Sequence, residues 1–296
     1  MKLMLFALLL LMAARQHGIA NDRVFISSDR HVLGTASNRS ASIRAADVDG
    51  DGDADLIVAN GRHWPQQNYL FLNQGRGRFN VIRPLGVELS TSYACEPADF
   101  DVDGDINMAV GNDNAPCQIL VNDGSGMLTA SHSFGTPSSI RSLTVVDIDH
   151  DGDADILTTC RGQPNVIHMN DGSGNFRESR SFGARADSTI DVAVADLNGD
   201  GHFDLLLANR DRQPNTILLA DGMGSFSEPV AFGAYNVSSR AVATADFNGD
   251  GHVDWVVGNI AAANTLFLGD GHSDIAVANS DGLNRVFLNQ PKMNHQ

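Results

Sequence analysis

Short apolar runs separated by tight polar turns set the pattern of this chain. The run Asp55 to Asn60, DLIVAN, recurs as NMAVGN from Asn107, DILTTC from Asp155, DLLLAN from Asp204 and DWVVGN from Asp254. Each is too short for a stable helix and rich in strand-forming residues, so each predicts a β-strand. The third copy displays the whole unit. Ser139 to Val146 reads as a first strand, Ala154 to Cys160 as a second, and a turn follows with Gly162 and Pro164. Asn165 to Asn170 reads as a third strand, closed by the hairpin turn Asp171-Gly172-Ser173-Gly174, and Asn175 to Ser181 as a fourth.

Four antiparallel strands per unit, repeated down the chain, predict an all-β fold of β-propeller blades. The expected units run from about 34 to 85, 86 to 134, 135 to 182, 183 to 232 and 233 to 290. A Phe-Gly pair closes the units at Phe134-Gly135, Phe182-Gly183 and Phe232-Gly233, with Leu33-Gly34 and Leu85-Gly86 standing in. Its expected role is packing. The Asn ending the second strand (Asn60, Asn112, Asn209, Asn259, Asn279) is expected to cap the following turn.

Arg23 to Gly34 resembles the fourth strand of a blade lacking its first three, and the C-terminus supplies a second and a third strand. Together they predict a sixth, incomplete blade closed by strands from opposite ends of the chain. The stretch after Gly271 aligns with residues that follow an acidic loop, whereas the stretch before it aligns with a hairpin. Gly222 and Gly251 are the equivalent glycines of the preceding unit, so about 29 residues are missing there. The sixth loop keeps only Asp270 and Asp274 and is expected to hold no cation. Unpaired strand edges at such a blade would favour self-association.

An acidic nonapeptide joins the first and second strands of every unit. The copies are DVDGDGDAD from Asp47, DFDVDGDIN from Asp99, DIDHDGDAD from Asp147, DLNGDGHFD from Asp196 and DFNGDGHVD from Asp246. Each has Asp at position 1, Asp or Asn at 3, Asp at 5, Gly at 6, and Asp or Asn at 9. Oxygens at alternate positions suit a loop wrapped around Ca2+, with Gly at the sharp turn. An EF-hand is excluded, because position 12 (Val58, Val110, Thr158, Leu207, Val257) is not Glu and lies in a strand. The expected metal-site residues are therefore Asp47, Asp49, Asp51, Asp53 and Asp55; Asp99, Asp101, Asp103, Asp105 and Asn107; Asp147, Asp149, Asp151, Asp153 and Asp155; Asp196, Asn198, Asp200, His202 and Asp204; and Asp246, Asn248, Asp250, His252 and Asp254. His202, His252 and His272 are expected to face solvent.

The formal charge is -16, and the five loops hold 20 of the 36 acidic residues. Five Ca2+ would bring the chain near -6, so the acidity points to bound metal and argues against a nucleic-acid partner. Residues 1 to 20 read as a secretory signal, with Lys2, an apolar core from Leu3 to Ala13 and Gly18-Ile19-Ala20 at the cleavage site. An exported protein with no membrane span is expected, secreted or, in a bacterium, periplasmic. Of Cys95, Cys117 and Cys160, the first two share a repeat and are candidates for a bridge, while Cys160 reads as a small buried residue. Asn38 and Asn236 open glycosylation sequons.

The acidic loops combined with the Phe-Gly pairs resemble the FG-GAP (VCBS-type) repeat family, which includes the calcium-bearing propeller repeats of integrin α subunits. The resemblance covers residues 23 to 290. It implies calcium held by side chains at positions 1, 3, 5 and 9 and by the carbonyl at 7. Departures are Val102 and His150 at position 4, where Gly is usual, and Asn107 at position 9. The units lack a transmembrane tail, so integrin adhesion is not implied.

Two classes of function follow. The first is a non-catalytic binding or adhesion module for a glycan or protein, with about five structural Ca2+ ions. The alternative is a polysaccharide lyase or hydrolase. No Gly-x-Ser-x-Gly, His-Glu-x-x-His or Cys-x-x-Cys motif occurs. His63 and Trp64 interrupt the first unit and are candidates for a ligand contact.

Overall fold

The computed structural model describes residues 33–34, 36–222 and 225–269, together with short strands at 275–277 and 285–287. The chain divides into two units, 1–36 and 37–296, and every described element belongs to the second. The expected signal segment, the N-terminal strand from Arg23, the discontinuity at Gly271 and ring closure all lie outside the described residues.

The architecture is all-β, built from successive antiparallel sheets. The first holds β1 (Ser40–Ala46), β2 (Asp55–Asn60), β3 (Gln66–Leu72) and β4 (Val81–Ser90); the second holds β5 (Ser92–Ala98), β6 (Asn107–Asn112), β7 (Cys117–Asn122) and β8 (Leu128–Phe134). The third is β9 (Ile140–Val146), β10 (Asp155–Cys160), β11 (Asn165–Met169) and β12 (Glu178–Phe182), and the fourth β13 (Thr189–Ala195), β14 (Asp204–Asn209), β15 (Asn215–Leu218) and β16 (Val230–Phe232). The fifth comprises β17 (Ser238–Ala245), β18 (Asp254–Ile260) and β19 (Thr265–Phe267), and a separate ladder pairs β20 (Ile275–Val277) with β21 (Arg285–Phe287). In all four complete sheets the strand order follows the sequence, the mark of a propeller blade. β4 runs on to Ser90, because Gln66 pairs with that residue across a register shift.

The core lies between sheets. Ile57, Leu70 and Leu85 meet Met108, Val110 and Leu120; Phe100, Ile119 and Phe134 meet Leu143 and Ile156. Leu157 and Phe182 meet Leu205 and Leu207, and Leu206 and Phe232 meet Trp255 and Phe267. A sheet covered on both faces needs apolar residues at consecutive positions, which explains the lack of alternation in the second strands. The Phe-Gly phenylalanines are buried. Gly183 has φ +70°, and an added Cβ would come within 2.9 Å of Leu207 in the next sheet, so this junction requires glycine.

The innermost strands β1, β5, β9, β13 and β17 touch one another in succession. Ala46 pairs with Asp55 and Ser40 with Asn60, so the acidic loops cluster at one end of the sheets and the turns after the second strands at the other. A six-residue strand separates the two ends by about 20 Å.

The cysteine bridge does not form. All three thiols are free and buried, with Cys95 between the first and second sheets, and Cys117 and Cys160 between the second and third. Cys95 and Cys117 thus occupy opposite faces of one sheet. Burial pushes the Cys160 thiol up to about 11, which leaves it unreactive.

Candidate metal centres

Each acidic loop is shaped by its own side chains. The position 1 carboxylate accepts from the amide of the position 6 glycine, as in Gly52 to Asp47 (2.9 Å) and Gly201 to Asp196 (2.9 Å). Position 5 accepts from the amide at position 7 in every loop, for example Asp53 to Asp51 (2.9 Å) and His252 to Asp250 (2.9 Å). The five position 6 glycines have φ between +87° and +99°, which an L side chain rarely adopts. Position 4 is also left-handed, and here Val102 (φ 57°) and His150 (φ 60°) take the conformation that Gly50, Gly199 and Gly249 take elsewhere.

Position 9 is fully buried in all five loops. Asp55 accepts from Val48 N (2.9 Å) and Asn73 N (2.8 Å), and Asp155 from Ile148 N (3.1 Å) and Asn170 N (2.8 Å). It therefore stitches the loop entrance to the end of the third strand. Asn107 keeps the first of these bonds, from Phe100 N at 2.9 Å.

Three loops gather carboxylates tightly enough to share a cation: Asp47, Asp49 and Asp55; Asp99, Asp101 and Asp103; and Asp147, Asp149 and Asp155, each trio offering oxygens within 4.8 Å of one another. Asp47 Oδ1, Asp49 Oδ1 and Asp101 Oδ1 are buried and lack a hydrogen-bond partner. Burial, then neighbouring carboxylates, pushes Asp49, Asp101 and Asp149 above the usual carboxylate range. Asp155 is raised to about 6, chiefly by burial. Crowded, orphaned, hard oxygen donors fit Ca2+ or Mg2+ better than a transition metal. In the fourth and fifth loops the position 3 amide instead donates to the position 5 carboxylate, Asn198 to Asp200 and Asn248 to Asp250, both at 2.9 Å. The position 7 carboxylates Asp105 and Asp153 face the hairpin glycines Gly124 and Gly172 of their own sheets.

The sheets are tied together by asparagines that the sequence reading missed. Asn122, at the end of β7, donates to Val48 O in the first acidic loop (2.7 Å) and to Ile106 O (3.0 Å). Asn170 repeats the bond to Phe100 O (2.8 Å) and Ala154 O (3.2 Å). The signal was present as Asn-Asp-Gly at both hairpins; the partner carbonyl, some 70 residues away, was not. At the other end the expected turn caps occur: Asn60, Asn112, Asn209 and Asn259 donate to Gln67, Pro116, Pro214 and Ala263 carbonyls.

In the fourth sheet the tying asparagine is replaced by Ala220, and a cavity of about 240 Å³ opens there. Ile167, Met169 and Phe226 line it, and Asp149, His150, Arg180 and His202 give it polar groups. His202 is thus half-buried, contrary to the expected solvent-facing position, because its ring packs against Gly222. His252 is exposed, and His272 lies outside the described residues.

The model of the FG-GAP-like repeat matches residues 47–110, 99–158, 157–207 and 196–257, in register with the acidic loops. The chain belongs to the FG-GAP-like repeat family. No curated protein sequence matches the chain. Among solved structures, these FG-GAP repeats are similar to an Agrocybe aegerita lectin that recognises non-reducing terminal N-acetylglucosamine, at 19% identity and TM-score 0.54, covering 83% of this chain and 65% of that one. They are also similar to the V. cholerae biofilm matrix protein Bap1, at 19% identity and TM-score 0.50, covering 81% of this chain and 37% of that one. The chain thus spans less than two thirds of either relative. Among the described residues no helix is long and apolar enough to cross a membrane.

Proposed function

We propose that the protein is an exported, non-catalytic binding module, stabilised by calcium in its acidic loops, that takes a saccharide in the cavity between its third and fourth sheets. The observation that carries this reading is the cavity at Ala220. It has an apolar floor, a few convergent polar groups and room for one sugar ring. His150 and Phe203 pair their rings 4.8 Å apart at its edge, a surface on which a sugar can stack. Asp149 belongs both to this lining and to the third carboxylate trio, so a cation there would order the cavity wall. The similarly folded lectin and matrix protein support a binding role without naming this ligand.

The test is Ala220→Asn, which restores the tying amide and fills the space. On a glycan array, the wild type with calcium is expected to retain a saccharide that the variant does not. Unchanged binding by the variant would move the site elsewhere. New reducing or unsaturated ends after incubation with uronic-acid polysaccharides would instead favour a lyase or hydrolase.

A further inference from the structure

The end of the sheets opposite the acidic loops gathers positive charge, although the chain as a whole carries -16. Arg62 lies in the turn after β2, Arg210 in the turn after β14, and Arg240 on β17. All three are half-buried, and none forms an ion pair among the described residues. Arg62 Nε is buried without a hydrogen-bond partner. Burial, then the Arg62 and Arg210 charges, holds the Arg240 guanidinium below its usual value. Partly desolvated like charges gathered at one end of the sheets cost free energy unless an anion completes them.

The surrounding acids are already engaged. Asp113 binds Arg141 at 2.9 Å, and Asp211 binds Arg161 through two contacts of 2.8 Å. Asp191, which acts on Arg240, accepts from Val242 N at 3.1 Å. At the same end Arg141 lies 4.6 Å over the Tyr93 ring, and the Tyr93 hydroxyl meets His63 Nδ1 at 3.1 Å. Trp64, next along the turn that carries Arg62, is 61% exposed.

We infer that this end of the sheets carries a second binding site, for a saccharide bearing carboxylate or sulfate groups, with Arg62, Arg210 and Arg240 holding the oxyanion and Trp64 offering a stacking face. Guanidinium forks suit planar and tetrahedral oxyanions, and an exposed indole suits a sugar ring. The site lies at the other end of the sheets from the Ala220 cavity and does not depend on it.

Calorimetric titration of the full chain in saturating calcium tests this, using a sulfated disaccharide, a hexuronate trisaccharide, a neutral trisaccharide, inorganic sulfate and hexaglutamate. One or both acidic saccharides are expected to bind, more weakly as salt rises. The Arg62→Gln, Arg210→Gln double variant should weaken that binding about tenfold or more, with a melting temperature unchanged or raised. Ala220→Asn should leave it intact. The inference is overturned if neither acidic saccharide binds at millimolar concentration, if the double variant binds as well as the wild type, or if Ala220→Asn alone abolishes binding. Inorganic sulfate binding as tightly would mean an adventitious ion only. Hexaglutamate binding as tightly would mean an acidic peptide site.

Discussion

The side-chain amide of Asn170 donates to the carbonyl of Phe100, 2.8 Å away and 70 residues earlier, at the entrance of the preceding sheet's acidic loop. Asn122 does the same to Val48. Each hairpin thereby holds the acidic loop of the sheet before it, so the shape of one loop and the packing of the next sheet are mechanically linked.

Replacing Asn170 with Ala removes the donor to the buried Phe100 carbonyl and to the part-buried Ala154 carbonyl. The expected loss is about 1–3 kcal/mol, read as a lower midpoint in chemical denaturation. Ala220→Asn should raise the midpoint, since it adds the missing bond where a cavity now stands.

Calcium should stabilise by mass action, because only the folded loops gather their carboxylates. Each site gains about 2.7 kcal/mol at a hundredfold excess over its Kd. EDTA is therefore expected to lower the melting temperature, and Asp51→Ala to lower both it and the bound calcium count by one site. A melting temperature indifferent to EDTA would refute the structural role.

Val102 is a β-branched residue at φ 57° and 65% exposed, so its side chain gains little from packing to offset the left-handed backbone. Val102→Gly should stabilise the protein by about 1 kcal/mol, the strain relieved being partly offset by glycine's entropy. Tighter calcium binding by the second loop is expected alongside, measured by titration of the variant.

His168 is buried against Phe134, with ring centroids 5.1 Å apart, and desolvation lowers its pKa to about 4. The unfolded chain takes up the proton at about 6.5. Stability from this residue is fully present above the unfolded value and is lost as pH falls towards 4, on the order of 3 kcal/mol in all. Comparing wild type with His168→Leu isolates the effect, because both lose loop cations to acid alike. The variant's stability should fall less steeply between pH 6.5 and 4.

The sequence by itself determined the strands, their four-per-unit rhythm and the nine-residue loops, because each depends on neighbours within a few residues. The apolar run from Asp55 and the position 6 glycines carry their conformations locally, and the Asn60 turn cap spans only the next turn. Tertiary structure alone decided which groups from different sheets meet. The opposite faces that separate Cys95 from Cys117, the Asn170–Phe100 tie, the cavity at Ala220 and the placement of Arg62, Arg210 and Arg240 at one end of the sheets all involve residues far apart in the chain. Such contacts exist only once neighbouring sheets stack, and no local spacing encodes the stacking.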